Sequence, residues 1–149
     1  MNSLSTAVPA GAGAAVSQFR RAFGYLLVAS IVFLIWWGGQ VKSNQAGLSV
    51  PDWPKGYGTW WPPLVGNVYW EWLHRVIAAS VGVLAIVAGF WTARVEPRTW
   101  VRRLAWGLLG AIVVQGLLGA LNVTTLLFLP VTFAHSTLAQ VILCMATTL

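Results

Sequence analysis

Acidic residues are nearly absent from this chain. Asp52, Glu71 and Glu96 are the whole complement, charged residues make up only 8% of the sequence, and there are two histidines and one cysteine. A soluble domain carries about a quarter of its residues as charges, so a 149-residue chain that is 58% hydrophobic reads as an all-α integral membrane protein. The lone Cys144, inside an apolar run, excludes an internal disulfide and a CxxC metal site. It reads as a small buried hydrophobe. The net charge of +6 does not point to nucleic acid. The basic residues sit between apolar segments and form no stripe with interleaved aromatics on a water-facing surface.

What is present is a set of four apolar runs, about Phe23 to Val41, Tyr69 to Ala93, Leu104 to Leu121 and Val131 to Leu149. Each approaches the roughly 20 residues that a helix needs to cross the hydrocarbon core, so residues 21–149 are expected to form a four-transmembrane-helix bundle. Residues 1–20, rich in Ala, Gly and Ser and free of acid, are expected to form a disordered tail. Arg20 and Arg21 precede the first run without a convincing cleavage site after it, which favours an uncleaved first helix over a signal peptide. Arg20, Arg21, Arg94, Arg98, Arg102 and Arg103 fall on one side of the membrane, with Lys42 and Lys55 on the other. The positive-inside rule therefore puts the amino terminus in the cytoplasm. A bacterial plasma membrane is expected in preference to a mitochondrial inner membrane.

Between the first two runs lies Gly47-Leu-Ser-Val-Pro51-Asp52-Trp53-Pro54-Lys55-Gly56-Tyr57-Gly58, then Trp60-Trp61-Pro62-Pro63. Its prolines and glycines exclude a continuous helix, and its aromatics exclude a merely solvated linker. An ordered Pro/Trp/Gly-rich extracytoplasmic cap is expected, in which a plain interfacial loop would give no reason for Asp52. Further along, Ala78, Gly82, Ala85 and Gly89 form a small-residue stripe that lets helices or a flat ligand approach closely. Gln115 is a candidate for one interhelical hydrogen bond. Asn122-Val-Thr124 matches a glycosylation acceptor, but it sits too close to the membrane to carry weight.

The chemistry concentrates in Trp70-Glu71-Trp72-Leu73-His74-Arg75, which opens the second run. Three ionisable side chains there must face protein, water or a ligand, because lipid would not tolerate them unpaired. An interfacial Glu71–Arg75 ion pair with a packed histidine explains them blandly. The second histidine favours function. His74 and His135 both lie near the starts of helices that begin at the outer face, roughly 6 to 8 Å deep at 1.5 Å per residue. Level histidines on two helices of a bundle suit axial ligation of one haem iron, whereas zinc would want more ligands and Cys144 is too deep to join. Arg75 is then placed to pair with a haem propionate. Glu71, one turn from His74, is a candidate proton-transfer group whose pKa desolvation would raise.

Four blocks resemble haem A synthase: Gly47-Leu-Ser-Val-Pro-Asp-Trp-Pro54 with Pro62-Pro63, Glu71-Trp-Leu-His-Arg75, Val114-Gln-Gly-Leu-Leu-Gly119, and Ala134-His135. The resemblance implies a membrane enzyme that oxidises a methyl group of haem O to a formyl, giving haem A for cytochrome oxidase. It also implies two similar four-helix halves, each with a histidine pair. This chain is similar to the amino-terminal half, so His74 and His135 would flank the substrate haem O and Glu71 would match the essential acid. Haem B would then belong to a second half or a partner subunit. A haem O synthase and the cytochrome oxidase assembly machinery are the implied partners. The cap lacks the cysteine pair of some members. The abrupt end at Leu149 suggests a fragment of a chain about twice as long, the alternative being a half-size protein that forms a homodimer. Two rival readings are a bis-histidine haem B cytochrome or haem carrier, in which Glu71 has no task, and a structural bundle without haem.

Overall fold

The computed structural model describes residues 10–149. It contains four helices, α1 (Ala10–Ser43), α2 (Asn67–Val95), α3 (Thr99–Thr124) and α4 (Leu129–Thr148). Each is long and apolar enough to cross a membrane, and no strand occurs among the described residues. The expected disordered tail falls partly on residues 1–9, which lie outside the described residues. From Ala10 the chain is helical, in keeping with the high helix propensity of its alanines.

The helices outrun the apolar segments at most ends. Arg94 belongs to α2, and Arg102 and Arg103 belong to α3, so the expected basic loop shrinks to Glu96-Pro97-Arg98. Pro97 explains the break, since the residue before a proline is pushed out of the helical region, and Glu96 is extended (φ −91°, ψ 119°). Pro130 sits in the first turn of α4, where its missing N–H is harmless.

The bundle is a ring. α1 packs on α2 and α4, and α3 packs on α2 and α4, while the diagonal pairs α1/α3 and α2/α4 make no close backbone contact. Leu27, Ile31, Val81, Ala88, Leu108, Ile142 and Ala146 join all four helices in one buried cluster. The small-residue stripe divides along its length. A methyl group added at Gly89 would lie 3.7 Å from Leu109 and 3.9 Å from the Ala105 carbonyl of α3, so this end carries close packing; at Gly82 nothing lies within 4 Å. Cys144, expected to be buried, is exposed on α4. Lipid is as apolar as a bundle interior, so hydrophobicity does not tell the two faces of such a helix apart. Asn122 is buried and accepts a hydrogen bond from the Thr132 hydroxyl at 2.9 Å.

At the end bearing the Glu96 turn, one carboxylate ties three elements. Glu96, nearly inaccessible, receives Arg98 at 2.7 Å and Arg20 of α1 at 3.0 Å. Its pKa is held down to about 2 against an ordinary 4.5, first by the Arg98 side chain, then by the Arg98 N–H, with Arg20 adding to both. A depressed carboxyl contributes stability that is fully present above its ordinary value and is lost as pH falls through the folded one. Thermal stability in detergent should therefore fall as pH drops from 4.5 to about 2, and Glu96→Gln should remove that part of the slope. An identical acid profile in the variant would contradict this.

Candidate functional site

At the opposite end of the bundle, residues 44–66 form the expected ordered cap, held by α2. The Glu71 carboxylate, buried, accepts the Val50 N–H at 2.8 Å on one oxygen and an Arg75 N–H at 2.5 Å on the other. Arg75 in turn donates to three cap carbonyls, of Val50 at 2.9 Å, Asp52 at 2.6 Å and Lys55 at 3.2 Å. The i,i+4 spacing makes this latch. Glu71 and Arg75 are about 40° apart on the helix, with His74 about 60° from Glu71 on the other side.

Asp52 has a structural task that the sequence did not disclose. Its carboxylate accepts the N–H groups of Tyr57 at 2.6 Å and Gly58 at 2.8 Å, closing a turn in which both residues have positive φ (53° and 73°). The Gly58 N–H foremost, then that of Tyr57 and the charge of Arg75, holds the Asp52 pKa below the usual carboxylate value. The Tyr57 hydroxyl donates to the Ser49 carbonyl at 2.6 Å. Gly56 is buried against Trp72, and an added methyl there would meet Val50 and Pro62 at 3.0 Å and Trp72 at 3.3 Å, so only glycine lets the cap close on α2.

Beside the cap an aromatic belt joins α1 to α2. Trp37 stacks on Tyr69 and Trp70 with ring centroids 6.0 and 5.2 Å apart, and its indole N–H donates to the Trp70 carbonyl at 3.0 Å. This is where interfacial Trp and Tyr belong.

His74 turns away from the latch and into the bundle. Glu71 pairs with Arg75 while His74 is set apart, with Cε1 where a methyl on Gly38 of α1 would lie 3.1 Å from it. His135 of α4 lies similarly beside Gly119 of α3, at 3.5 Å by the same measure. His74 is seven residues into α2 and His135 six into α4, about 10 and 9 Å along their axes. The two thus lie at similar depths from the starts of diagonal helices. Gln115, expected to make one interhelical bond, donates to the His135 carbonyl at 3.0 Å and lies 3.4 Å from the ring Nε2.

The donor set can be tested against a ligand. No group of three or more His, Cys, Asp or Glu side chains gathers among the described residues, so a zinc cage is not supported. Both histidines have a buried Nδ1 without a hydrogen-bond partner. Two imidazoles on diagonal helices, each beside a glycine of a neighbouring helix, are a donor set that would suit a haem iron. The apolar grooves on the bundle surface lie elsewhere, one between α1 and α2 lined by Phe33 and Ile77 and one beside Leu104 and Val141.

Four helices long and apolar enough to span a membrane, arranged in a ring with a histidine on each of two diagonal helices and a latched cap, define a polytopic helical membrane protein. Residues 64–149 match the COX15-CtaA model, described as cytochrome oxidase assembly protein, and the chain belongs to that family. Among curated relatives it is 35% identical over 102 residues to a protein of Symbiobacterium thermophilum, covering 67% of this chain and 33% of that one. It is 31% identical over 152 residues to one of Methylobacterium sp. strain 4-46 (91% and 41%), and 30% identical over 158 residues to one of Caulobacter sp. strain K31 (96% and 46%). All three are named heme A synthase. The chain spans about a third to a half of the length of these relatives. No solved structure matches it.

Proposed function

We propose that this chain is the haem O-binding part of a haem A synthase, which oxidises a methyl group of haem O to a formyl to give haem A for cytochrome oxidase. The observation that carries the reading is the level pair His74 and His135 on diagonal helices, each with a buried, unpartnered Nδ1. His74 and His135 would hold the haem iron through their ring nitrogens. The bound haem supplies the iron and the methyl group to be oxidised. The chain's residues bind it, orient it and keep water from it.

Arg75 commits Nη1 and Nη2 to the cap and to Glu71, which leaves its Nε–H for a propionate. Glu71 is the acid nearest the site and the proposed catalytic residue. Both of its oxygens are engaged, so taking up a proton would loosen the cap's hold on α2. Haem B belongs, on this reading, to a second half or a partner subunit, which a second copy of this chain would also provide. A haem O synthase supplies the substrate. The protein lies in the plasma membrane with its amino terminus in the cytoplasm and its cap outside, an orientation supported by the arginines around the Glu96 turn.

The engagement of Glu71 in the latch favours one second reading, a bis-histidine haem B cytochrome or haem carrier in which the acid is purely structural. The discriminating experiment purifies the protein in detergent after co-expression with a haem O synthase, records its absorption spectrum and separates the extracted haem by chromatography. Haem O together with haem A is the expected result. Glu71→Gln should keep bound haem and lose haem A. Haem B alone would favour the cytochrome, and a colourless protein after adequate haem supply would remove both readings.

A further inference from the structure

We infer that Gly38 is a positioning residue for His74: the bare backbone of α1 at this point sets the direction in which the imidazole enters the bundle. The inference rests on the haem reading for its consequence, though not for its geometry. A methyl on Gly38 would lie 3.1 Å from Cε1, 3.7 Å from Nδ1 and 3.8 Å from Nε2 of His74. The first distance is tighter than ordinary contact and the other two are ordinary, so the ring lies flush against the bare backbone and would have to give by a few tenths of an ångström.

Neither helix can step back to make room. The Trp37 indole, one residue before Gly38, is bonded to the Trp70 carbonyl, one turn before His74, and fixes the spacing of α1 and α2. α2 is held from the cap side by the Glu71–Arg75 latch. An added methyl would be relieved most simply by a small rotation of the His74 ring, which moves its nitrogens from the positions they hold here. A ligand displaced by a fraction of an ångström loses coordination strength, as changes to the supports of metal ligands commonly do by 10–100-fold.

The chain supplies its own comparisons. Gly39, the next residue on α1, has nothing within 4 Å of an added methyl, and at Gly119 the distance to His135 is an ordinary 3.5 Å. Any loss of helix flexibility on replacing glycine is shared by all three positions, whereas the clash with an imidazole is confined to Gly38.

The test compares Gly38→Ala, Gly39→Ala and Gly119→Ala in the purified, haem-loaded protein. Gly38→Ala should retain haem about tenfold more weakly and convert part of the low-spin absorption and EPR signal to high-spin. Gly39→Ala should match the wild type, with Gly119→Ala close to it. A Gly38→Ala protein with the wild-type spectrum and haem content would overturn the inference. A wild type without low-spin haem would instead remove the haem reading, and the geometry would then be tested without haem. Gly38→Ala should lower thermal stability in the wild-type background and not in a His74→Ala background, where the opposing ring is gone. Equal losses in both backgrounds would show a packing role unrelated to His74 and overturn the inference, including when Gly38→Ala alone accumulates poorly.

Discussion

Arg75→Ala should release the cap and destabilise the protein by about 3–5 kcal/mol, the usual consequence of removing one partner of a buried ion pair. Arg75 is 15% exposed and Glu71 only 5%, so little water reaches the carboxylate to replace the guanidinium. Three cap carbonyls lose their donor in the same step. Two measurements follow. The thermal midpoint in detergent should drop, and trypsin should cut after the exposed Lys55, a bond the latched cap protects. Arg75→Lys should fall between, because an ammonium keeps the charge but cannot span the cap carbonyls and Glu71 as a planar fork does. If Arg75→Ala unfolds at the wild-type temperature with Lys55 uncut, the latch does not hold the cap.

The second large effect concerns the histidines. His74→Ala and His135→Ala should each abolish the low-spin haem signal and weaken haem retention by roughly 100-fold or more, given that altering the supports of metal ligands alone brings 10–100-fold. The double variant should be little worse than either single one, since one remaining imidazole cannot restore six-coordination. A single-histidine variant with the full wild-type spectrum would show that the iron, if bound, is held elsewhere. Adding imidazole to the alanine variants offers a further check, because an exogenous ring can fill the space left by the lost one.

These residues also show how far the sequence could be read. The four helices were legible from hydropathy, and so was the position of His74 and His135 near the starts of the second and fourth. Helix ends were not: Arg94, Arg102 and Arg103 look like loop residues but extend α2 and α3 beyond the apolar runs. The exposed face of Cys144 was hidden by the equivalence of lipid and core. The nearness of Glu71 to Arg75 followed from i,i+4 spacing. Their capture of Val50, Asp52 and Lys55 did not, because backbone acceptors leave no mark in a sequence. Gly38 was visible only as part of a Gly-Gly pair in an apolar run, and nothing in its own identity names the imidazole opposite.

The contacts described around His74 run between residues 37 and 75: the glycine beside its ring, the Trp37–Trp70 bond next to it, and the latch from Val50 to Arg75. None needs α3 or α4. As the chain emerges in order, the first imidazole can therefore be seated under a closed cap while the helix bearing His135 has yet to be made. On the proposed reading, the surroundings of one ligand would be complete before the other is synthesised.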